Sequence, residues 1–400
     1  MRHDRARSTS ERGGPRDTFR EAEADLLGFI AGAAWDGADE GAEEDFSNLA
    51  LRVSRLQCDA IPAYRAYARH LGRGPDRVRD WRDIPPVPAS AFRMSRHDLS
   101  AAPSDRGAVV FETSGTTISL PGRVWLSDTR LYEASLTRNF ARHVLPDGAR
   151  LHAIIFGPTE IQAPRSSLWF MVEHVVQELC AGGTWIVQHG EPRWEVADAE
   201  LARAADSKNR VLVIGTTLLF QAYFERCDRE GLRFALPEGS RAMDTGGAKG
   251  TRIEVPRGEV ESAFERVLAI PPSHVVNEYG MAEMGSQFYP DPLLAAHERR
   301  RPRPGFVIPP WVRTRVLDPE TMRERPEGAP GLLVHYDLAN LEIPLAIQTE
   351  DVGTRAGNRL TLEGRLPEAE RRGCSLPFEQ FLERERARAP GAERARGVPR

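Results

Sequence analysis

Thr113-Ser114-Gly115-Thr116-Thr117 sets four hydroxyl side chains around one glycine. Hydroxyls and backbone N–H groups on such a turn can cradle a polyphosphate, and Gly115 lets the backbone approach closely. The same composition also makes an ordinary turn. It is not a Walker loop, because no Gly-Lys-Ser/Thr ending follows. Asp244-Thr245-Gly246-Gly247-Ala248-Lys249-Gly250 carries paired glycines against which a flat ring can lie; the bland alternative is a tight surface turn. The stretch from Asn277 to Tyr289, NEYGMAEMGSQFY, offers a ring that can stack on a purine. It also offers carboxylates able to hold Mg²⁺, which usually takes one or two of them plus substrate phosphates. The alternative there is a strand end with acidic surface residues. In Thr349-Glu350-Asp351-Val352-Gly353 the aspartate can accept from ribose hydroxyls, or the segment is simply a hairpin turn.

These stretches must be held by regular elements. VVFE runs into the 113–117 turn as a strand entering a loop. LHAIIF (151–156), TWIVQ (184–188) and VLVIG (211–215) are short apolar runs suited to buried parallel strands. Helical spacing lies between them, notably over 166–180, so the alternation predicts a βαβ-type sheet and an α/β fold. Helices are also expected over 18–29 and 48–71, and residues 83–92 (DIPPVPASAF) form a connector whose prolines exclude continuous helix. After Trp311 the texture changes to short strands and glycine turns, a small antiparallel unit over 312–365. The expected division is a polar arm over 1–18, a large α/β domain over 19–364, a short C-terminal segment over 365–385, and a charged tail over 386–400.

With 400 residues and 40% hydrophobic content the chain can bury a large core. Its formal net charge of −4 gives no basic footprint for nucleic acid. The only lysines are Lys208 and Lys249, so lysine-dependent chemistry has two candidates. Four scattered cysteines, without a CxxC pair, indicate neither a zinc site nor a disulfide framework. No secretory signal or membrane span is read, and a cytoplasmic location is expected.

Taken together, in this order, the motifs resemble those of the adenylate-forming superfamily of acyl-CoA synthetases and adenylation domains. TSGTT resembles its phosphate loop, GGAK its adenine-side turn, EYGMAE its Tyr-Gly-x-Thr-Glu segment and TEDVG its ribose-binding motif. GRLPEAE (364–370) resembles its hinge to a small C-terminal domain. A narrower resemblance is to the acyl-protein synthetase (LuxE-type) subunit of bacterial bioluminescence fatty-acid reductases, carried by IPPVPASAF, EYGMAEMGSQFY and GRLPEAERRGCSL.

The resemblance implies an adenylate-forming fold with a large N-terminal domain and a short C-terminal appendage. It implies ATP with its phosphates on Thr113, Ser114, Gly115, Thr116 and Thr117, and Mg²⁺ at Glu283. The base would lie by Gly246, Gly247, Tyr279 and Gly280, the ribose on Asp351, and Arg365 at the hinge. Cys374, beside Arg371 and Arg372, matches the cysteine that accepts the acyl group and passes it to a reductase or carrier partner. His174 can face the acyl pocket, although a lone histidine on a helix is more often structural. The pocket is expected between Trp169–Met171 and Met281–Phe288, whose apolar character suits a fatty or aryl acid.

Three departures bear on mechanism. The phosphate loop continues Ile118-Ser119-Leu120-Pro121-Gly122-Arg123, with arginine near the family's lysine. Ala282 stands where a threonine is usual. No lysine follows Lys249, so the superfamily's C-terminal catalytic lysine is absent; either Lys249 or an arginine substitutes, or adenylation is slow. The competing readings are a ligase that transfers to free coenzyme A and a homologue that binds acyl groups or nucleotides with impaired turnover.

Overall fold

A computed structural model describes residues 15–35, 40–93, 99–102, 108–113, 121–246 and 256–366. Proline sets the first boundaries. α1 spans Pro15–Gly32, α2 Glu40–Ala60 and α3 Pro62–His70. The helix expected over 48–71 is therefore two, because Pro62 has no N–H to continue α2 but suits the first turn of α3. The proline connector then passes through a 3₁₀ turn at Trp81–Asp83, a short strand β1 (Val87–Pro88) and another 3₁₀ turn.

Among the described residues, β2 (Val109–Glu112) and β3 (Arg123–Leu126) pair only with each other, as an antiparallel ribbon. The strand that delivers the 113–117 loop is thus a hairpin arm, separate from the parallel sheet. α4 (Arg130–Val144) leads to β4 (His152–Phe156), α5 (Ser167–Leu179) and β5 (Gly182–Trp185). The chain then bends at Ile186 into a small hairpin, β6 (Val187–Gln188) and β7 (Glu191–Pro192), so the run expected as one strand over 184–188 is split. α6 (Trp194–Ser207), β8 (Val211–Thr216), α7 (Thr217–Glu230), β9 (Arg241–Thr245), α8 (Arg257–Leu268) and β10 (Val275–Glu278) complete the unit. Its five strands run in the order β10-β9-β8-β4-β5, every pair parallel.

Alternate residues of these strands face opposite layers. Ile154, Phe156, Val211 and Val213 pack with Phe220, Tyr223 and Phe264 of α7 and α8. Ile155, Leu212, Ile214 and Met243 join the other core, with Phe140 of α4 and Val172 and Val175 of α5. Both faces are covered, which explains the nearly unbroken apolar runs.

After α9 (Pro292–His297), the rest of the chain builds a second sheet from β11 (Phe306–Val307), β12 (Val312–Leu317), β13 (Gly331–Asp337), β14 (Ala346–Ala356) and β15 (Arg359–Arg365). The order is β11-β15-β14-β13-β12, antiparallel, with β1 adding parallel to β14. The proline connector thereby ties the N-terminal helices to the last sheet, joining Val87 to Ile347 in register. Cys374 and the rest of 367–400 lie outside the described residues.

Gly157, just past β4, is crossed by the indole of Trp169; a Cβ there would overlap the ring. Trp169 is itself buried, so it has little room to yield. Gly157→Ala is expected to destabilise the fold by about 1–3 kcal/mol through overpacking, read as a lowered midpoint in urea unfolding with an unchanged slope.

Candidate active site

The carboxyl ends of the parallel strands, where ligands bind in open α/β sheets, meet the second sheet here. β9 ends in Thr245, with Gly246 next, and β10 in Glu278, with Tyr279 next. Gly246 adopts φ +81°, a left-handed conformation that favours glycine. Its carbonyl accepts a 2.5 Å hydrogen bond from the Thr217 hydroxyl, which also donates to Asp244 at 2.9 Å. Buried Asp244 accepts further from Asn277 at 3.1 Å and Arg257 at 2.6 Å. The turn is therefore anchored at its start, while Gly247 and Lys249 lie outside the described residues.

Three expected site residues converge. The Tyr279 hydroxyl donates to one carboxyl oxygen of Asp351 at 2.8 Å, and Arg365 Nε donates to the other at 3.0 Å. Tyr279 is only 9% exposed, its ring walled by Phe288, Phe306 and His335. Burial, with the Asp351 carboxylate beside it, holds its hydroxyl pKa well above the usual tyrosine range. His335 is fully buried, paired through Nδ1 with the Thr314 hydroxyl at 2.9 Å, and burial lowers its pKa to about 4. It is a neutral wall of the site at physiological pH.

The stretch from Glu278 to Tyr289 is fastened on all sides. Tyr279 and Phe288 exchange backbone hydrogen bonds of 2.9 and 2.8 Å, closing it into a loop. Asn340 accepts from Gly285 N at 2.8 Å and donates to the Glu283 carbonyl at 2.9 Å. Ser286 donates to Asp337 at 2.8 Å, and Asn139 of α4 donates to the Gln287 carbonyl at 2.6 Å. Glu283 is buried at the centre of this arrangement. Gly280 lies against the Glu278 carboxyl, where a Cβ would overlap Oε1.

Of the phosphate loop, only Thr113 is described. It is buried, its N–H donates to the Gly122 carbonyl at 2.9 Å, and its hydroxyl accepts from Gly122 N at 2.9 Å. Thr113 clasps the two ends of the loop. Ser114, Gly115, Thr116 and Thr117 lie outside the described residues.

Below the turn is a cavity of about 330 Å³, lined by Tyr132, Leu168, Met171, Thr245, Glu278 and Met281 among others. Of the expected acyl-pocket residues, Met171, Met281, Ala282 and Gln287 line it. Trp169 packs instead over Gly157, and Phe288 against Tyr279. His174 bonds the Thr137 hydroxyl at 2.9 Å, tying α5 to α4. Sequence reasoning missed His335, Asp337 and Asn340. The available signal was β13 itself, whose every residue is buried although it carries a histidine and an aspartate.

The fold resembles that of solved acyl-CoA ligases. A solved structure of 2-hydroxyisobutyryl-CoA ligase, in an open conformation with 2-HIB-AMP and coenzyme A, superposes with a TM-score of 0.59 at 18% identity, covering 81% of this chain and 76% of that one. The model of the acyl-protein synthetase (LuxE) family matches residues 45–383, and the chain belongs to that family. The long-chain-fatty-acid–luciferin-component ligase of Vibrio harveyi is 24% identical over 330 residues, 79% of this chain and 82% of that protein. Its counterpart from Aliivibrio fischeri is 21% identical over 337 residues, 80% and 84%. As an acyl-protein synthetase the chain is a ligase that activates a carboxylic acid with ATP and passes the acyl group to a thiol. Among the described residues no helix is long and apolar enough to cross a membrane.

Asp337 offers a pH test of the fastening. Its carboxyl is fully buried, Oδ1 accepts from Ser286 and Ala339, Oδ2 has no hydrogen-bond partner among the described residues, and burial raises its pKa to about 6. An acid whose pKa is raised on folding stabilises the fold below its unfolded pKa and loses that contribution as pH rises through the folded value. Relative to Asp337→Asn, the wild type is therefore expected to lose on the order of 2–3 kcal/mol between pH 4 and about 6, measured by denaturant unfolding at each pH.

Proposed function

We propose that this chain joins a fatty or aryl acid to ATP as an acyl-adenylate beside Tyr279 and Asp351. The acyl group then moves to Cys374 and on to a protein partner, a reductase or carrier. The convergence of Tyr279, Arg365 and Asp351 carries the reading: two expected site residues, far apart in sequence, share the two oxygens of a third. In this reading Asp351 takes the ribose hydroxyls and Arg365 swings aside to admit them. The adenine lies by Gly246, Gly247 and Gly280, with Tyr279 at its edge. The phosphates lie on residues 113–117. The acid's apolar body enters the cavity against Leu168, Met171 and Met281.

A carboxylate oxygen of the acid attacks the α-phosphorus, and pyrophosphate leaves. Catalysis is mostly positioning and charge stabilisation. Among the described residues no cluster of three ligating side chains is found. One buried carboxylate, Glu283, suits a cation that draws its other ligands from phosphates and water. Glu283 would hold Mg²⁺, whose charge offsets that of the departing pyrophosphate. Lys249, or an arginine in its stead, adds positive charge. The Cys374 thiolate then attacks the acyl carbonyl, the C–O bond to phosphate breaks, and AMP leaves. Arg371 and Arg372 adjoin Cys374 in sequence, and nearby cations favour a thiolate. The buried free cysteines Cys58, Cys180 and Cys227 suit a reducing, cytoplasmic setting.

Incubation with ATP, Mg²⁺ and a panel of acids, followed by intact-mass analysis, tests the route. A hydroxylamine-labile adduct is expected on the wild type. Cys374→Ser is expected to keep ATP–pyrophosphate exchange and to lose the adduct. Exchange without an adduct on the wild type would move the acceptor to free coenzyme A. Asp351→Ala is expected to raise the KM for ATP by about tenfold or more, the loss of charge-assisted hydrogen bonds to the ribose, while acid binding measured alone is unchanged.

A further inference from the structure

We propose that Arg165 binds the β- and γ-phosphates of ATP, and that it leaves Glu112 to do so. This rests on the reading that the phosphates lie at the turn opened by Thr113. Glu112 and Arg123 adjoin the two clasped ends of that turn, Thr113 and Gly122. Arg165 comes from another part of the chain, just ahead of α5, and belongs to none of the motifs read from the sequence. Its Nη1 donates to Glu112 Oε1 at 2.8 Å, and Arg123 Nε donates to the same oxygen at 2.9 Å. Two guanidiniums thus share one carboxylate oxygen, and the cluster keeps a surplus of positive charge. Glu112 also lines the cavity that Thr245 and Gly246 line, so this charge adjoins the adenine-side turn.

The ion pair is not what seats the hairpin. Phe111 packs against Tyr132 of α4 and Phe170 of α5, with ring centroids 5.4 Å away in each case. The Glu112 N–H donates to the Arg165 carbonyl at 2.7 Å. Neither contact involves the guanidinium. The Arg165 side chain is 56% exposed, and an exposed pair of this kind contributes little to stability. A polyphosphate offers several charged oxygens to the planar fork of an arginine and holds it more strongly. Exchanging Glu112 for phosphate therefore costs little. Tyr279 and Glu283 are buried, whereas Arg165 stands at the open rim, where pyrophosphate can leave into water. Positive charge held there stabilises the leaving group. With no lysine after Lys249, this guanidinium supplies charge that the sequence motifs lack.

The test uses the full chain. Calorimetry measures binding of ATP, pyrophosphate and AMP, each with Mg²⁺, and acid-dependent ATP–pyrophosphate exchange is measured separately. Arg165→Gln is expected to weaken ATP and pyrophosphate by about tenfold or more, the loss of charge-assisted hydrogen bonds, and to leave AMP unchanged. Arg165→Lys keeps the charge and is expected to recover part of the loss. Glu112→Gln still accepts from both arginines but removes the competing negative charge. It is expected to tighten ATP and pyrophosphate by about threefold or more. A clasp that merely held the hairpin would give a different pattern, with both variants weakening every nucleotide alike. Near-ultraviolet circular dichroism checks that the variants fold. Unchanged ATP affinity in Arg165→Gln overturns the proposal, as does an equal loss of AMP, weaker ATP binding in Glu112→Gln, or no ATP binding by the wild type. The selective loss of ATP and pyrophosphate in a chain without acid-dependent exchange would leave the proposal standing and sink the adenylation reading alone.

Discussion

Asp351 accepts the Tyr279 hydroxyl on one oxygen and the Arg365 guanidinium on the other. Tyr279 stands at the end of the last parallel strand, Asp351 is in the long central strand of the antiparallel sheet, and Arg365 closes the strand beside it. One carboxylate thus locks the two sheets together where the site forms. The lock is mostly buried at the aspartate and open at the arginine. That asymmetry matters for chemistry: a ligand with two hydroxyls can displace an exposed guanidinium far more readily than a buried tyrosine. The tyrosine orients the carboxylate, and the arginine covers it.

The remainder of the site depends on a loop that has little regular structure of its own. Between Glu278 and Tyr289 the backbone is held by side chains from elsewhere: Asn340 and Asp337 from the second sheet and its following turn, Asn139 from α4. Ser286 links further to Ser135 and to the indole N–H of Trp311, both 3.0 Å away. Buried polar networks of this kind hold a loop in one conformation at a cost in desolvation. The Asp337 oxygen without a partner among the described residues and the raised pKa of its carboxyl are that cost made visible. The gain is a Glu283 carboxylate and a Tyr279 ring kept in place without a helix or a strand to carry them.

The match to the acyl-protein synthetase family spans both sheets and the proline connector. That connector has a structural purpose here. β1 inserts beside β14, so the N-terminal helices are stapled to the sheet that bears Asp351. Gln57 of α2 reinforces the staple by donating to the carbonyls of Asn340 and Leu341 at 2.9 and 3.1 Å. The same turn that positions Glu283 is therefore held from the N-terminal side as well.

Local pattern was enough for the alternation of strands and helices, for the antiparallel texture after Trp311, and for the order of the motifs. Those depend on periodicity and on glycine and proline, which act within a few residues. It was not enough for the break at Pro62, where the apolar spacing of α2 continues into α3, or for the separation of β2 from the parallel sheet, because a four-residue strand does not encode its partner. Tyr279, Asp351 and Arg365 were legible as candidates one by one. Their meeting on a single carboxylate was not, since pairs 72 and 14 residues apart are brought together only by packing. The same holds for Glu278, which reads as an acidic strand end in sequence. Tertiary structure alone made it a buried carboxyl in a cavity wall, because burial and the neighbours it imposes belong to the fold and not to any one segment.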